Sequence, residues 1–125
     1  MKHLIIVLCL VILPRIVWAE LNTNNKTIQL DSVQVIQLAG GFMDAGKYDK
    51  AEQILTTVPK TGNPALEIER WFLLGQISAR RGDYDTAIKI FRKILDDQPD
   101  LARIRFELAI CYMKTGHWYR ADYHL

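Results

Sequence analysis

Two histidines near the end of the chain have the spacing of residues that share one helix face. His117 and His124 are seven residues apart, which on a helix corresponds to two turns and about 10.5 Å of rise. That separation is too long for both imidazoles to bind one metal ion unless other ligands join them. We therefore interpret the two histidines as solvated or partly packed side chains, and the sequence predicts no metal site.

The carboxylates do not form the pair that general acid and base catalysis requires. Glu67 and Glu69 point to different sides of a predicted helix and are better explained as acidic residues near the positive end of its dipole. Asp96 and Asp97 flank a predicted loop. Because no nucleophile lies beside a base in a recognisable local motif, we expect neither an enzyme nor a cofactor site.

Two other features that can carry chemistry have structural interpretations here. Gly40 and Gly41 lie in the middle of a predicted helix rather than in front of one, so they do not form a phosphate-binding loop. We expect them to allow a kink or a close approach between helices. Cys111 lies in an apolar helical context, which favours a buried small side chain over a reactive thiol.

Residues 1–19 are predicted to form a secretory signal peptide. A short positive start precedes an unbroken apolar run from Leu4 to Leu13, and Val17-Trp18-Ala19 offers small side chains at the two positions that a signal peptidase reads. We expect cleavage after Ala19 and export of the remainder to the periplasm. A membrane anchor is the alternative, although the apolar run is about half of the ~20 residues that span a bilayer. A lipid-modified Cys9 is a weaker alternative, because a bulky residue precedes it.

The net charge argues against one class of function. The chain has 16 Lys and Arg, 14 Asp and Glu, and a formal charge of +2. The two excess cations, Lys2 and Arg15, belong to the leader, so the segment after residue 19 is formally neutral. A neutral segment lacks the basic patch typical of nucleic-acid-binding proteins, and we expect no nucleic-acid partner.

One short phrase recurs three times along the chain. The phrase GKYDKA begins at Gly46, GDYDTA begins at Gly82 and GHWYRA begins at Gly116. The alanines that end the phrases lie 36 and then 34 residues apart. A fixed period of this length is typical of stacked-repeat proteins, in which each unit is one supersecondary element that packs on its neighbours.

The apolar pattern around each phrase predicts a helix, a tight turn at the glycine and a second helix. Residues 20–30 are predicted to be a flexible leader, and residues 31–125 to form one helical repeat domain. We expect repeats at about 31–64, 65–99 and 100–125, the last of them incomplete.

Two helix starts follow from capping residues. Asp31 or Ser32 can cap the first helix, because either side chain can accept a hydrogen bond from the free N–H groups of the first turn. Asn63 can cap the third helix, and Pro64 after it has no N–H group to leave unpaired.

Small side chains are expected where paired helices cross, and large ones in the gaps between pairs. A single pair cannot bury its apolar face alone, so stability should arise from contacts between neighbouring pairs. The residues expected to carry this packing are Trp71, Leu74, Gly75, Ala87, Phe91, Leu108, Ala109, Tyr112 and Ala121.

This pattern resembles the tetratricopeptide repeat, a 34-residue helix-turn-helix unit. Ser78 departs from it, standing where tyrosine is usual. The resemblance implies an all-α fold, a right-handed α-solenoid fragment of about 2.5 to 3 stacked hairpins. It also implies a non-enzymatic module that holds other proteins. The matching residues are Trp71, Leu74, Gly75, Ala87, Phe91 and Pro99.

The last third of the chain also resembles the N-terminal repeat region of surface lipoprotein assembly modifiers. In that family such repeats are periplasmic and precede an outer-membrane β-barrel that helps to export or display lipoproteins. The resemblance implies a lipoprotein client, with membrane contact only through a C-terminal domain outside this sequence. The residues that carry it are Pro99, Leu101, Arg103, Arg105, Glu107, Leu108, Ala109, Ala121 and Tyr123.

The final helix is predicted to be short and poorly covered. About eight residues follow the last glycine turn, and isolated helices of that length are marginal in water. Trp118, Tyr119, Tyr123 and Leu125 have no following helix to pack against. We therefore expect the natural protein to continue beyond this segment.

In the tetratricopeptide fold the first helices of the hairpins line one face, which is where a partner is expected to bind. A stripe of aromatic residues flanked by cations would suit an extended peptide segment with apolar anchors and an acidic flank. The alternatives are a general periplasmic adaptor and a structural spacer that binds nothing. The candidate groove residues are Ile36, Met43, Phe72, Gln76, Arg80, Arg103, Phe106, Ile110, Met113 and Lys114.

Overall fold

A computed structural model describes residues 30–125 of the chain. The predicted signal peptide and nearly all of the predicted flexible leader lie outside the described residues. The described part consists of six helices: α1 (Ser32–Asp44), α2 (Tyr48–Thr57), α3 (Pro64–Arg80), α4 (Tyr84–Asp97), α5 (Ala102–Lys114) and α6 (Trp118–His124).

The helices form three consecutive hairpins that stack in chain order. The helices α1 and α2 pack together, as do α3 and α4, and α5 and α6. Neighbouring hairpins are joined by contacts of α3 with α1 and α2, and of α5 with α3 and α4. The predicted all-α, tetratricopeptide-like stack is confirmed, and the part of the chain that the structure describes contains no strand.

Each hairpin turns at a glycine with a left-handed backbone conformation. The φ angles are +70° at Gly46, +83° at Gly82 and +79° at Gly116. Residues with a Cβ atom rarely adopt this conformation, which explains why the recurring phrase begins with glycine. The prediction that glycine makes the turn is confirmed at all three positions.

The predicted helix starts are also confirmed. Asp31 caps α1 through a capping box: its carboxylate accepts from the N–H of Gln34 at 2.8 Å, and the Gln34 side chain accepts from the N–H of Asp31 at 3.1 Å. Asn63 caps α3 by accepting from the N–H of Ala65 at 3.0 Å, with Pro64 as the first helical residue.

The core is divided into two clusters that meet at α3. Leu73 and Ile77 of α3 join the core of the first hairpin, together with Leu55 of α2. Phe72 of the same helix belongs to the core of the second and third hairpins, which is centred on Phe91. The helix α3 therefore has apolar residues on two sides, because it is sandwiched between two neighbouring hairpins.

The helices α3 and α4 approach each other closely at Gly75. A Cβ atom built on Gly75 would meet ring atoms of Phe91 at 2.5, 2.9 and 3.0 Å. Phe91 is fully buried, and so is Ala87 one turn earlier on α4. Of the remaining residues expected to pack, Leu108, Ala109, Tyr112 and Ala121 are buried, and Leu74 is half-buried.

Two expectations about packing are wrong. Trp71 does not fill the space between hairpins, since 39% of its surface is exposed and its ring lines a surface cleft. Of the two roles expected of Gly40 and Gly41, the close approach is wrong, since nothing lies within 4 Å of a Cβ atom at either position, and the kink stays a prediction. In both cases the residue type suggested a packing role that its position on the helix does not give it.

The first two hairpins are also linked by ion pairs on the surface. The guanidinium of Arg81, at the end of α3, donates to the carboxylate of Glu52 at 2.7 Å and to that of Asp49, both on α2. The hydrogen bond to Glu52, followed by the one to Asp49, raises the pKa of Arg81. Because these groups are largely exposed, they orient the hairpins more than they stabilise them.

Cys111 of α5 is fully buried within the larger cluster, as predicted. Burial, with a smaller contribution from the negative charge of Glu107, raises the pKa of its thiol to about 11. The thiol therefore remains protonated at a pH where an exposed cysteine has become a thiolate.

We expect Cys111 to resist alkylation by iodoacetamide at pH 9 in the folded protein and to react readily in urea. Since folding raises this pKa, the folded state is favoured while the thiol is protonated, and this contribution is lost as the pH rises from about 8.5 towards 11. Peptide mass spectrometry separates modification of Cys111 from that of Cys9. Equal rates for Cys111 with and without urea would contradict its burial.

Among residues 30–125, no helix has the length and apolar character that crossing a membrane requires.

Candidate partner-binding surface

The first helices of the second and third hairpins, α3 and α5, are joined side by side through polar contacts. Glu69 of α3 forms an ion pair with Arg103 of α5, 34 residues later in the chain. Two turns further along α3 and one turn further along α5, the amide of Gln76 donates to the carboxylate of Glu107 at 2.9 Å. These contacts join α3 and α5 side by side on one surface.

We call this surface the first-helix face. Its members are the residues that α3 and α5 present around these polar contacts. They are Glu69, Gln76, Arg80, Arg103, Phe106, Glu107, Ile110, Met113 and Lys114.

Phe72 is not an open part of this face, contrary to the prediction. Only 6% of its surface is exposed, and its ring packs against Phe91 with the centroids 6.1 Å apart. The guanidinium of Arg103 covers the ring from the solvent side, at 4.1 Å from its centroid. Since Arg103 also pairs with Glu69, its guanidinium covers the core residue Phe72 and is not a free cation on the surface.

Phe106, one repeat later, differs from Phe72 because it is 55% exposed. Phe72 is covered by the following hairpin, whereas within residues 30–125 no first helix follows α5. Ile110 and Met113 continue from Phe106 along α5 at helical spacing, and both are half-buried. Phe106, Ile110 and Met113 thus form an apolar stripe whose most accessible member is Phe106.

Two cations lie at the ends of α3 and α5. Arg80 and Lys114 occupy equivalent positions in the last turns of their helices, and both are exposed. Among the described residues neither forms an ion pair. They lie four residues beyond Gln76 and Ile110, about 6 Å along the helix axes.

The predicted groove residues of the first hairpin contribute less to an open surface. Ile36 and Met43 of α1 are half-buried and pack against the core of that hairpin. The structure therefore brings together the predicted groove residues of α3 and α5, apart from Phe72, and gives Ile36 and Met43 mainly a packing role.

The two C-terminal histidines both contact Tyr112. His124 stacks on its ring with the centroids 5.7 Å apart, and His117 meets it edge-on at 6.2 Å. Burial, and then the positive charges of Arg105 and Arg92, lowers the pKa of His124. Within residues 30–125, no three residues of metal-ligand type come together.

A second concave feature, which sequence reasoning missed, lies between the first half of α3 and the second half of α4. We call it the α3–α4 cleft. Its volume is about 620 Å³. The residues that line it are Lys60, Pro64, Glu67, Ile68, Arg70, Trp71, Lys89, Ile90, Lys93, Ile94, Asp97 and Gln98.

An extra helical turn helps to form the wall of this cleft. The helices α3 and α5 end at equivalent residues, but α3 has 17 residues and α5 has 13. The additional turn of α3 is held by the preceding loop, where Thr61 donates to Glu67 through its N–H at 2.7 Å and its hydroxyl at 3.0 Å. The backbone hydrogen bond is the main cause of the lowered pKa of Glu67.

A sequence signal for the cleft exists in retrospect. Lys89 and Lys93 are four residues apart, which places both on one side of α4. Trp71 faces that side, and the ammonium of Lys93 lies 5.4 Å from the centroid of the indole ring. The helix α3 carries apolar residues around most of its circumference. The apolar periodicity of the sequence therefore does not reveal that Trp71 points outward.

The comparison with known proteins agrees with the fold. Residues 79–121, from the end of α3 to the first turn of α6, match the tetratricopeptide repeat family. No curated protein matches the chain. The matched part of the chain contains α4, α5 and the glycine turns at Gly82 and Gly116, so the sequence likeness falls on a helix-turn-helix unit that the structure shows independently.

Proposed function

We propose that the chain is a protein-interaction scaffold that holds an extended segment of a partner on its first-helix face. Repeats of the matched family are typically interaction modules without catalytic activity. The observation that carries the proposal is the joint surface of α3 and α5, where the exposed cations Arg80 and Lys114 lie beyond an apolar stripe that begins at Phe106.

The chemistry of the face suggests what the partner segment contains. Phe106 supplies an aromatic anchor, the type of residue that contributes most at protein interfaces. Arg80 and Lys114 provide two exposed cations at one end of the stripe, which favour an acidic flank. An apolar side chain followed along the segment by carboxylates would satisfy both parts of the surface.

The proposed location is the periplasm. It is supported by the apolar run from Leu4 to Leu13 and the cleavage pattern that ends at Ala19. A lipoprotein client, and a role as the N-terminal module of an outer-membrane export factor, rest on the resemblance of the last third of the chain alone. Cell fractionation, with mass spectrometry of the mature N-terminus, tests the location, and an N-terminus other than Glu20 would contradict the cleavage site.

The scaffold proposal predicts that Phe106→Ala weakens partner binding about tenfold or more, as expected for loss of a central aromatic anchor. Twelve-residue peptides displayed on phage and selected against the purified chain supply the probes. Their dissociation constants, measured by fluorescence anisotropy, check the prediction. The melting temperature should change little, because the Phe106 side chain is more than half exposed.

Tyr119→Ala is the matched control, since it removes an exposed aromatic ring from α6 instead of α5. It should leave peptide binding unchanged. Phe72→Ala is not a suitable probe of binding, because Phe72 packs against Phe91 and its loss would destabilise the fold. If Phe106→Ala binds all selected peptides as tightly as the unmodified chain, the first-helix face is not their binding surface and the proposal is wrong. If the selection yields no binding peptide at all, the structural spacer becomes the better interpretation.

A further inference from the structure

The α3–α4 cleft has two chemically different parts. Its wall is apolar and includes Ile68, Trp71, Ile90 and Ile94, while its edges carry four cationic residues and two carboxylates. The side chain of Trp71 remains 39% exposed inside it. A volume of about 620 Å³ lies within the range of pockets that enclose small ligands or a few residues of a peptide.

The charges at the edges are not balanced within the protein. Of the two carboxylates, Glu67 is already engaged by the N–H and hydroxyl of Thr61 and lies 3.7 Å from the guanidinium of Arg70. Lys89 and Lys93 form no ion pair among the described residues. The cleft therefore has an excess of positive charge beside its apolar wall.

Arg70, one of the cationic residues of the cleft, has one polar group without a partner. Its side chain is 16% exposed, and its Nε–H group is buried without a hydrogen-bond acceptor within residues 30–125. A buried donor without a partner is unfavourable by about 1–3 kcal/mol.

We infer that the α3–α4 cleft binds a short acidic peptide segment of a partner protein, with one apolar side chain against Trp71 and carboxylates beside Lys89 and Lys93. A small inorganic anion would satisfy the cations but would leave the apolar wall exposed. A purely apolar segment would cover Trp71 and bury the lysine charges without partners, which is unfavourable. A segment with both chemistries meets both requirements.

This site is separate from the first-helix face. Trp71, Lys89 and Lys93 belong to the cleft, whereas Phe106, Arg80 and Lys114 belong to the face between α3 and α5. The two proposals can therefore fail independently, and a pair of charge-removing variants distinguishes them.

The test uses a fluorescein-labelled pentapeptide with phenylalanine between two pairs of glutamates, and the same peptide with glutamines as its neutral counterpart. We expect the acidic peptide to bind the full chain and the neutral one to bind about tenfold more weakly or not at all. The double variant Lys89→Gln/Lys93→Gln should lose about tenfold in affinity for the acidic peptide. Both lysines are exposed, so this variant should fold normally.

The matched control is Arg80→Gln/Lys114→Gln, which removes the same charge from the first-helix face. Its affinity for the acidic peptide, read at the indole N–H resonance of Trp71 inside the cleft, should equal that of the unmodified chain. Loss of affinity in this control with retention in the lysine variant would place the peptide on the first-helix face and overturn the cleft proposal. Equal losses of the affinity read at Trp71 in both variants would show unspecific attraction and would also overturn it.

The indole N–H resonance of Trp71, assigned by comparison with Trp71→Phe, gives a direct readout of the cleft. It should shift as the acidic peptide is added, and an unchanged resonance would contradict the proposal. Displacement of the peptide by inorganic phosphate at equal concentration would make a small anion the occupant instead. If the chain sediments as a dimer and Lys89→Gln/Lys93→Gln abolishes that dimer, the occupant would be a second copy of the chain. Either of these two results would overturn the proposal that a peptide occupies the cleft.

Discussion

Replacement of Phe91 by alanine is expected to lower the free energy of unfolding by about 3–5 kcal/mol. The ring is fully buried at the centre of the larger core cluster, where it contacts Phe72 of α3 and belongs to the same cluster as Ile104 and Leu108 of α5. Its removal leaves a cavity at the point where the second and third hairpins meet. Because hairpin stacks gain their stability from neighbouring contacts, the effect should extend to α5 and α6.

Urea denaturation followed by circular dichroism at 222 nm measures this loss. Phe106→Ala is the matched control, because it removes the same side chain from a position that is 55% exposed. The control should shift the midpoint far less than Phe91→Ala. If the two variants had equal midpoints, the division of these phenylalanines into a core and a surface position would be wrong.

The fold could be predicted because local signals agree with one another along the chain. Glycine at Gly46, Gly82 and Gly116, with alanine five residues after each, marks the hairpins at a nearly constant period. Capping at Asp31 and Asn63 marks two of the helix starts. These features act within a few residues, so one sequence is enough to find them.

The orientation of side chains on α3 could not be predicted in the same way. Residues 71–74 are all apolar, so the pattern does not define one buried face. Phe72 turned out to be buried and Trp71 half-exposed, the reverse of what was expected. Which of the two adjacent rings is covered depends on α4 and α5, and above all on Arg103, which lies over Phe72 from the next hairpin.

The α3–α4 cleft was missed for a related reason. Its existence depends on an additional turn of α3 and on the loop that holds it through Thr61 and Glu67. In the sequence this loop was visible only as a repeat that is two residues longer than the next. Charges from a loop, from α3 and from α4 come together there, and only the packing of the second hairpin brings them close.

Replacement of two helical glycines by alanine should change the free energy of unfolding in opposite directions. At Gly75 the added methyl group would lie 2.5 Å from the Cε1 atom of Phe91, whose ring is fully buried. We expect Gly75→Ala to cost about 1–3 kcal/mol, since overpacking outweighs the gain in helix propensity. At Gly40 nothing lies within 4 Å of the new atom, so Gly40→Ala should stabilise the chain by about 0.4–1 kcal/mol.

Denaturant midpoints of both variants measure the difference, and a double-mutant cycle identifies its cause. In a background that carries Phe91→Leu, the smaller side chain leaves room for the methyl group, and Gly75→Ala should then cost less than it does beside phenylalanine. Gly40→Ala should have the same effect in both backgrounds, because Gly40 lies in the first hairpin and touches neither residue. If Gly75→Ala stabilised the chain, α3 and α4 would not approach each other closely at this point. The packing of Phe91 against Gly75 described above would then be wrong.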